Sequence, residues 1–172
     1  MDEAIIKDIF TYGSYAPTHY MKEPWNINLY QEKGRVAFVD AIIASYQRIG
    51  MLKKDNDAKT IKMIDSMSSF LLEIPHHALI YFKKEAEAVR YEEDYAAVCA
   101  FIQNAQLAAW EYGVGMLWTI TPYMHDAGFA ADIGLDGNEV KIAAVMQIGY
   151  PQHVGRDKGR LPIEEKLKII TE

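Results

Sequence analysis

The chain of 172 residues has one cysteine, Cys99, which excludes an intramolecular disulfide. Cys99 lies in the apolar run Ala96-Ala97-Val98-Cys99-Ala100-Phe101, where it reads as a buried small hydrophobe. A reducing cytoplasm suits this composition. Positive charge is also scarce, with Lys+Arg 18 against Asp+Glu 24 and a net charge of −6. Apart from the tail the basic residues are scattered, so no nucleic-acid surface is expected. No run suits a membrane span: the most apolar stretch, Tyr95 to Tyr112, contains Gln103, Asn104, Gln106 and Glu111, which are costly in lipid. The first residues, Met1 to Asp8, are acidic and amphipathic and do not read as a secretory leader.

Self-contained catalytic motifs are missing as well. Five histidines are present, yet His76 and His77 are neighbours that a strand would point to opposite faces. His19, His125 and His153 lie apart, without a helical i, i+4 companion or a cysteine, so no metal site is expected. There is no G-x-S-x-G elbow. Gly113-Val114-Gly115 stops at G-x-G, short of a dinucleotide fingerprint.

What is there is hydrophobic residue, 50% of the chain, enough for the core of one domain spanning residues 1–172. Ile5, Ile6, Ile9 and Phe10 predict a helix over 2–15. A strand is expected at Asn26 to Tyr30, then a helix from Lys33 to Ile49 burying Val36, Val39, Ile43 and Tyr46. The polar stretch Lys53 to Asp57 precedes a helix at Ala58 to Glu73, which Pro75 breaks. Ala78 to Phe82 reads as a buried strand and the charged run Lys83 to Glu93 as solvated. Asp94 is the expected N-cap of a central helix to Tyr112, closed by Gly113. Met116 to Ile120 reads as a strand, Thr121-Pro122 as the start of a helix to Ile133, and Val140 to Ile148 as another buried strand. A last helical segment is expected from Pro162 to Ile170. Helices and strands alternating without repeats give an α+β class.

The segment Ala16-Pro17-Thr18-His19-Tyr20-Met21-Lys22-Glu23-Pro24-Trp25 holds more chemistry than a connection needs. Two prolines fix φ, Thr18 and His19 offer hydrogen-bonding groups, and Trp25 supplies a large ring. It reads either as a rigid corner with a core tryptophan or as the edge of a site for a flat ligand.

Together with Gly113 to Ile120, Gly149-Tyr150-Pro151-Gln152 and the basic tail, this segment resembles the flavin-dependent nitroreductase family, nearest its short-chain NAD(P)H nitroreductase branch. The resemblance runs in order from residue 1 to about residue 165. It implies a mixed or antiparallel sheet flanked by helices, in an intertwined homodimer with FMN at the subunit interface. It also implies an enzyme that takes hydride from NADH or NADPH and passes electrons to a small-molecule acceptor in a ping-pong cycle. The acceptor would be a nitro compound, a quinone or a related molecule. The reactive atom would belong to the flavin, which accounts for the missing triad.

Carried over by position, Tyr15, His19, Trp118, Thr119 and Ile120 would contact FMN. Ala108, Ala109, Trp110, Glu111, Tyr112 and Gly113 would meet the nicotinamide. Many relatives place an arginine where this chain has Thr119. The family's Arg-Arg-Ser-x-Arg segment, which grips the flavin phosphate, falls upstream of Met1. Of the basic residues Arg156, Lys158 and Arg160, the resemblance favours Lys158 and Arg160 for the phosphate. Weak FMN retention, or a flavin-binding or structural dimer with reduced catalysis, is the alternative expectation.

Overall fold

A computed structural model of the chain describes residues 1–53, 57–153, 155 and 158–171. Helix α1, Glu3–Gly13, starts where the Asp2 carboxylate accepts from the Ala4 amide at 3.0 Å. It buries Ile6, Ile9 and Gly13. At Gly13 a Cβ would stand 2.9 Å from Phe101 Cε2, so the glycine permits close approach to the central helix.

Strand β1 is Asn26–Gln31, followed by helix α2, Gly34–Arg48, and helix α3, Ala58–Glu73. The Asp57 side chain caps α3 by accepting from the Thr60 amide at 2.8 Å. Strand β2, His76–Lys83, leads through a short connection into helix α4, Ala88–Glu111. Strand β3, Gly115–Thr119, the short helix α5, Ala127–Asp132, and strand β4, Val140–Gly149, complete the regular elements of the described residues. Among the described residues three 3₁₀ turns accompany them, at His19–Met21, Pro122–His125 and Ile163–Glu165.

The four strands form one sheet in the order β1-β2-β4-β3, every pair antiparallel. Alternate side chains of β2 feed two cores. Ala78, Ile80 and Phe82 pack with Ile9 of α1 and with Val98, Phe101, Ile102 and Ala105 of α4. Leu79 packs with Phe38 and Ile42 of α2, Leu71 of α3 and Phe129 of α5. Helices cover both faces, which is why β2 reads as a continuous apolar run.

Several sequence expectations are corrected. Asp94 caps nothing: α4 begins at Ala88, and Asp94 is buried within it. The charged run from Lys83 to Glu93 is largely exposed, as expected, and from Ala88 onward it is helical, since Tyr91 and Tyr95 turn toward the core and leave the charges outside. Val36 is exposed, because α2 buries the stripe of Phe38, Ile42 and Ser45. The expected helix from Thr121 to Ile133 is split at Asp126, whose side chain caps α5 through the Gly128 amide at 3.1 Å. The segment from Pro162 to Ile170 forms only the turn Ile163–Glu165. The spacer residues 54–56 lie outside the described residues.

Candidate functional site

The turn after α1 is held in a conformation that side chains disfavour. Tyr20, Met21 and Glu23 have φ of 50°, 56° and 48°, a left-handed region that costs non-glycine residues on the order of 1 kcal/mol each. Local bonds support it. The Glu23 amide donates to Thr18 Oγ1 at 3.1 Å, and the Lys22 amide donates to the His19 carbonyl at 3.1 Å. At its exit Trp25 stacks on Phe101, with ring centroids 4.9 Å apart.

Two side chains, His19 and Lys22, fasten the turn to α4 and the segment before it. His19 Nδ1 lies 3.4 Å from Glu93 Oε1. Lys22 Nζ donates to Asp94 Oδ2 and to Glu85 Oε1, each at 2.5 Å. The Asp94 bond, then the Glu85 bond, raises the Lys22 pKa above its ordinary value, and Lys22 in turn lowers that of Glu85. Between turn and helix lies an open cleft of about 480 Å³, lined by His19, Tyr20, Lys22, Arg90, Glu93 and Asp94 among others. The Tyr20 ring is almost fully exposed, edge-on to His19 with centroids 4.2 Å apart. Among the described residues His19 Nε2 has no partner.

Tyr15 is exposed, between α1 and this turn. The stretch Ala108 to Gly113 lies at the far end of α4. Ala108, Glu111 and Tyr112 line a shallow groove of about 350 Å³ with Tyr12, Asn104 and Leu107. Trp110 is exposed beside it, whereas Ala109 is fully buried in the core. Gly113 adopts φ 66° and its amide donates to the Trp110 carbonyl at 3.0 Å, closing the helix. At about 1.5 Å per residue, some 27 Å of helix separates Glu93, beside His19, from Glu111. One chain therefore cannot bring both ends of α4 to the same three-ring system.

Trp118 on β3 packs against the core shared by α1 and α4, and its buried Nε1 has no hydrogen-bond partner among the described residues. Thr119 Oγ1 donates to the Val145 carbonyl at 2.7 Å, so its hydroxyl is committed to β4. Ile120 is exposed. Lys158 and Arg160 are exposed in the tail, with Arg160 Nη1 donating to the Gly159 carbonyl at 2.7 Å; Arg156 lies outside the described residues.

Sequence reasoning missed Lys22, Glu93 and Asp94. Lys22 carried a signal, a lone cation between two prolines. Asp94 was hidden by its resemblance to a helix cap. No cluster of three or more metal-ligating side chains occurs among the described residues, and none of their helices is long and apolar enough to cross a membrane.

The model of the Nitroreductase family matches residues 1–150. A Bacillus subtilis (strain 168) protein named "Putative NAD(P)H nitroreductase YfhC" is 31% identical over 165 residues, covering 95% of this chain and 81% of that protein. A nitroreductase-like family protein from Bacillus cereus superposes with a TM-score of 0.87 at 31% identity, over 100% of this chain and 87% of its own. The FMN-dependent nitroreductase NfnB from Mycobacterium smegmatis, solved with NADPH, shares the fold at a TM-score of 0.73 and 14% identity, over 99% of this chain and 90% of its own. With a match from α1 through β4 and relatives aligned over nearly its whole length, the chain belongs to the nitroreductase family.

Proposed function

We propose that the chain is an FMN-dependent oxidoreductase that takes hydride from NADH or NADPH and delivers electrons to a nitro compound, a quinone or a related acceptor in a ping-pong cycle. It works in the cytoplasm as a homodimer of single nitroreductase-like domains, residues 1–172. The family match over residues 1–150 carries this reading, supported by the NAD(P)H nitroreductase name of the B. subtilis relative.

The residues present fit the cofactor. Among the described residues, His19 has a ring nitrogen without a partner beside an open cleft, and Trp118 has a buried Nε1 without one. Tyr15, His19, Trp118, Thr119 and Ile120 would hold the ring and ribityl chain. Lys158 and Arg160 would meet the phosphate as cations. Ala108 to Gly113 would receive the nicotinamide, chiefly through Ala108, Glu111 and Tyr112, which face the groove. When bound, FMN supplies the centre that accepts hydride and releases electrons. The protein's part is to orient that centre and exclude water. The length of α4 between His19 and Glu111 favours sites built from two subunits, one end of α4 from each.

A second reading, a flavin-binding dimer with reduced catalysis, is favoured by Thr119. Its hydroxyl is spent on the Val145 carbonyl at a position where the family resemblance implies a cation.

The test is an anaerobic absorbance spectrum of the purified protein, incubated with FMN, before and after NADH or NADPH. Flavin bands that bleach with either donor and return with an acceptor are expected. A protein that takes up no flavin overturns the proposal, and bound flavin that neither donor reduces selects the second reading.

A further inference from the structure

We propose that Asp94 is a positioning residue, acting through Lys22 to hold the strained turn that presents His19 to the cleft. The residue types at the strained positions themselves do not select this shape, and the local Thr18 bond to the Glu23 amide accounts for only part of it. Tyr20, Met21 and Glu23 are not glycines, yet all three have φ near 50°. A short segment of disfavoured backbone persists only when its surroundings over-determine it. The turn's exposed side chains do little of that, since Tyr20 and Met21 point largely into solvent. The tie comes from Lys22, inside the strained stretch, whose Nζ reaches Asp94 Oδ2 and Glu85 Oε1.

The two carboxylates are not equivalent. The Asp94 side chain is 6% exposed and that of Glu85 is 31%. Asp94 sits within the 24-residue helix α4, one residue beyond the Glu93 that contacts His19. A buried carboxylate needs a cation, and Lys22 is the one bonded to it. Breaking that bond frees a strained turn and leaves a buried charge, two costs with one remedy, relaxation of residues 18–24. Glu85 shares Lys22 from a more exposed position and contributes less.

The role of His19 toward flavin rests on the reading under "Proposed function", whereas the latch itself does not. The experiment therefore has two arms, each on the full-length protein. In the first, chymotrypsin cleavage after Tyr20 is followed without flavin in wild type, Lys22→Met, Lys22→Arg, Asp94→Asn and Glu85→Gln, beside global unfolding in urea. In the second, FMN dissociation constants are measured by fluorescence quenching.

Loss of one charge-assisted hydrogen bond corresponds to about tenfold faster cleavage after Tyr20 in Lys22→Met and Asp94→Asn. Cleavage elsewhere is unchanged, Lys22→Arg restores protection, and Glu85→Gln shifts it little. FMN affinity follows the same order, and the double variant Lys22→Met, Asp94→Asn is no worse than either single one. Unchanged cleavage after Tyr20 in Lys22→Met overturns the latch, as does a rise at all sites in step with lost global stability. A wild-type protein without FMN affinity removes the proposed function while the proteolysis arm still decides the latch.

Discussion

Trp25 stacks on Phe101 with ring planes 15° apart, so the residue that ends the turn is fixed to the middle of α4. Phe10 stacks on Phe101 as well, at 6.0 Å. Three aromatic rings from three segments thus share one contact. Trp25→Ala removes one of them and is expected to cost about 2–3 kcal/mol. The urea unfolding midpoint measures the loss, and a change under 0.5 kcal/mol, on the order of a surface substitution, would contradict the packing role.

Gly13→Ala attacks the same contact from α1. The added methyl would stand 2.9 Å from Phe101 Cε2 and 3.2 Å from Ala105 Cβ. Phe101 cannot retreat, being held by Trp25 and Phe10. Overpacking of this kind costs about 1–3 kcal/mol, although alanine favours a helix over glycine. Thermal unfolding that rises on substitution would show that the helices can separate freely.

Stability should fall on mild acidification. His76 and His77 are buried, and burial pushes both imidazole pKa values down; the bond between His77 Nε2 and the Leu71 carbonyl opposes this only in part. A depressed basic group leaves the folded state neutral while the unfolded chain takes up protons. The stability is thus complete above about pH 6.5, the ordinary imidazole value, and is lost as pH falls from there toward the folded pKa values. The lowered carboxylates Asp126 and Glu85 withdraw their stability only in the more acidic carboxylate range. Urea midpoints at pH 8, 7, 6 and 5 check the sign: a flat profile from 8 to 5 would remove the histidine effect. His76→Phe, which replaces two ring nitrogens without a hydrogen-bond partner among the described residues, should reduce the drop.

Much of this was readable in advance, for identifiable reasons. Asp57 before an apolar helix and Pro75 after it bracket α3, and the structure places that helix at Ala58–Glu73. The apolar strands β2 and β4 announced a sheet covered on both sides. Asp94 misled because a carboxylate before an apolar run has the same pattern whether it caps a helix or is buried inside one. Its partner Lys22 lies far away in sequence, so local spacing carries no trace of the pair. Val36 misled because α2 has apolar residues on more than one face and only the tertiary packing selects the stripe. The strain at Tyr20, Met21 and Glu23 was equally invisible, since glycine is the only residue that advertises positive φ. His19 and the stretch from Ala108 stood out by type and order, but their separation along α4 required the helix length.

His19→Ala should weaken FMN binding about tenfold, the loss of one good hydrogen bond to a ligand. His19 is exposed, so the unfolding midpoint should stay where it is. Equal affinity in wild type and variant would place the flavin elsewhere.

Lys158→Ala with Arg160→Ala separates the two ends of the cofactor. The double variant should lose about tenfold in FMN affinity and much of the salt dependence of binding, while riboflavin, which lacks the phosphate, binds as before. A parallel loss for riboflavin would assign the tail a structural role.

The register of the central strands sets a schedule for synthesis. β2 pairs with β4 from His76 opposite Ile148 to Lys83 opposite Val140, so a strand apolar on both faces precedes its inner neighbour by α4, β3 and α5. At about 5–20 residues per second, that wait is on the order of 3–12 s. Through it β1 covers one edge of β2 and the other stays open to any passing strand. Substitutions along β4 should consequently register first as lower yield of soluble protein, before any change in what the finished molecule does.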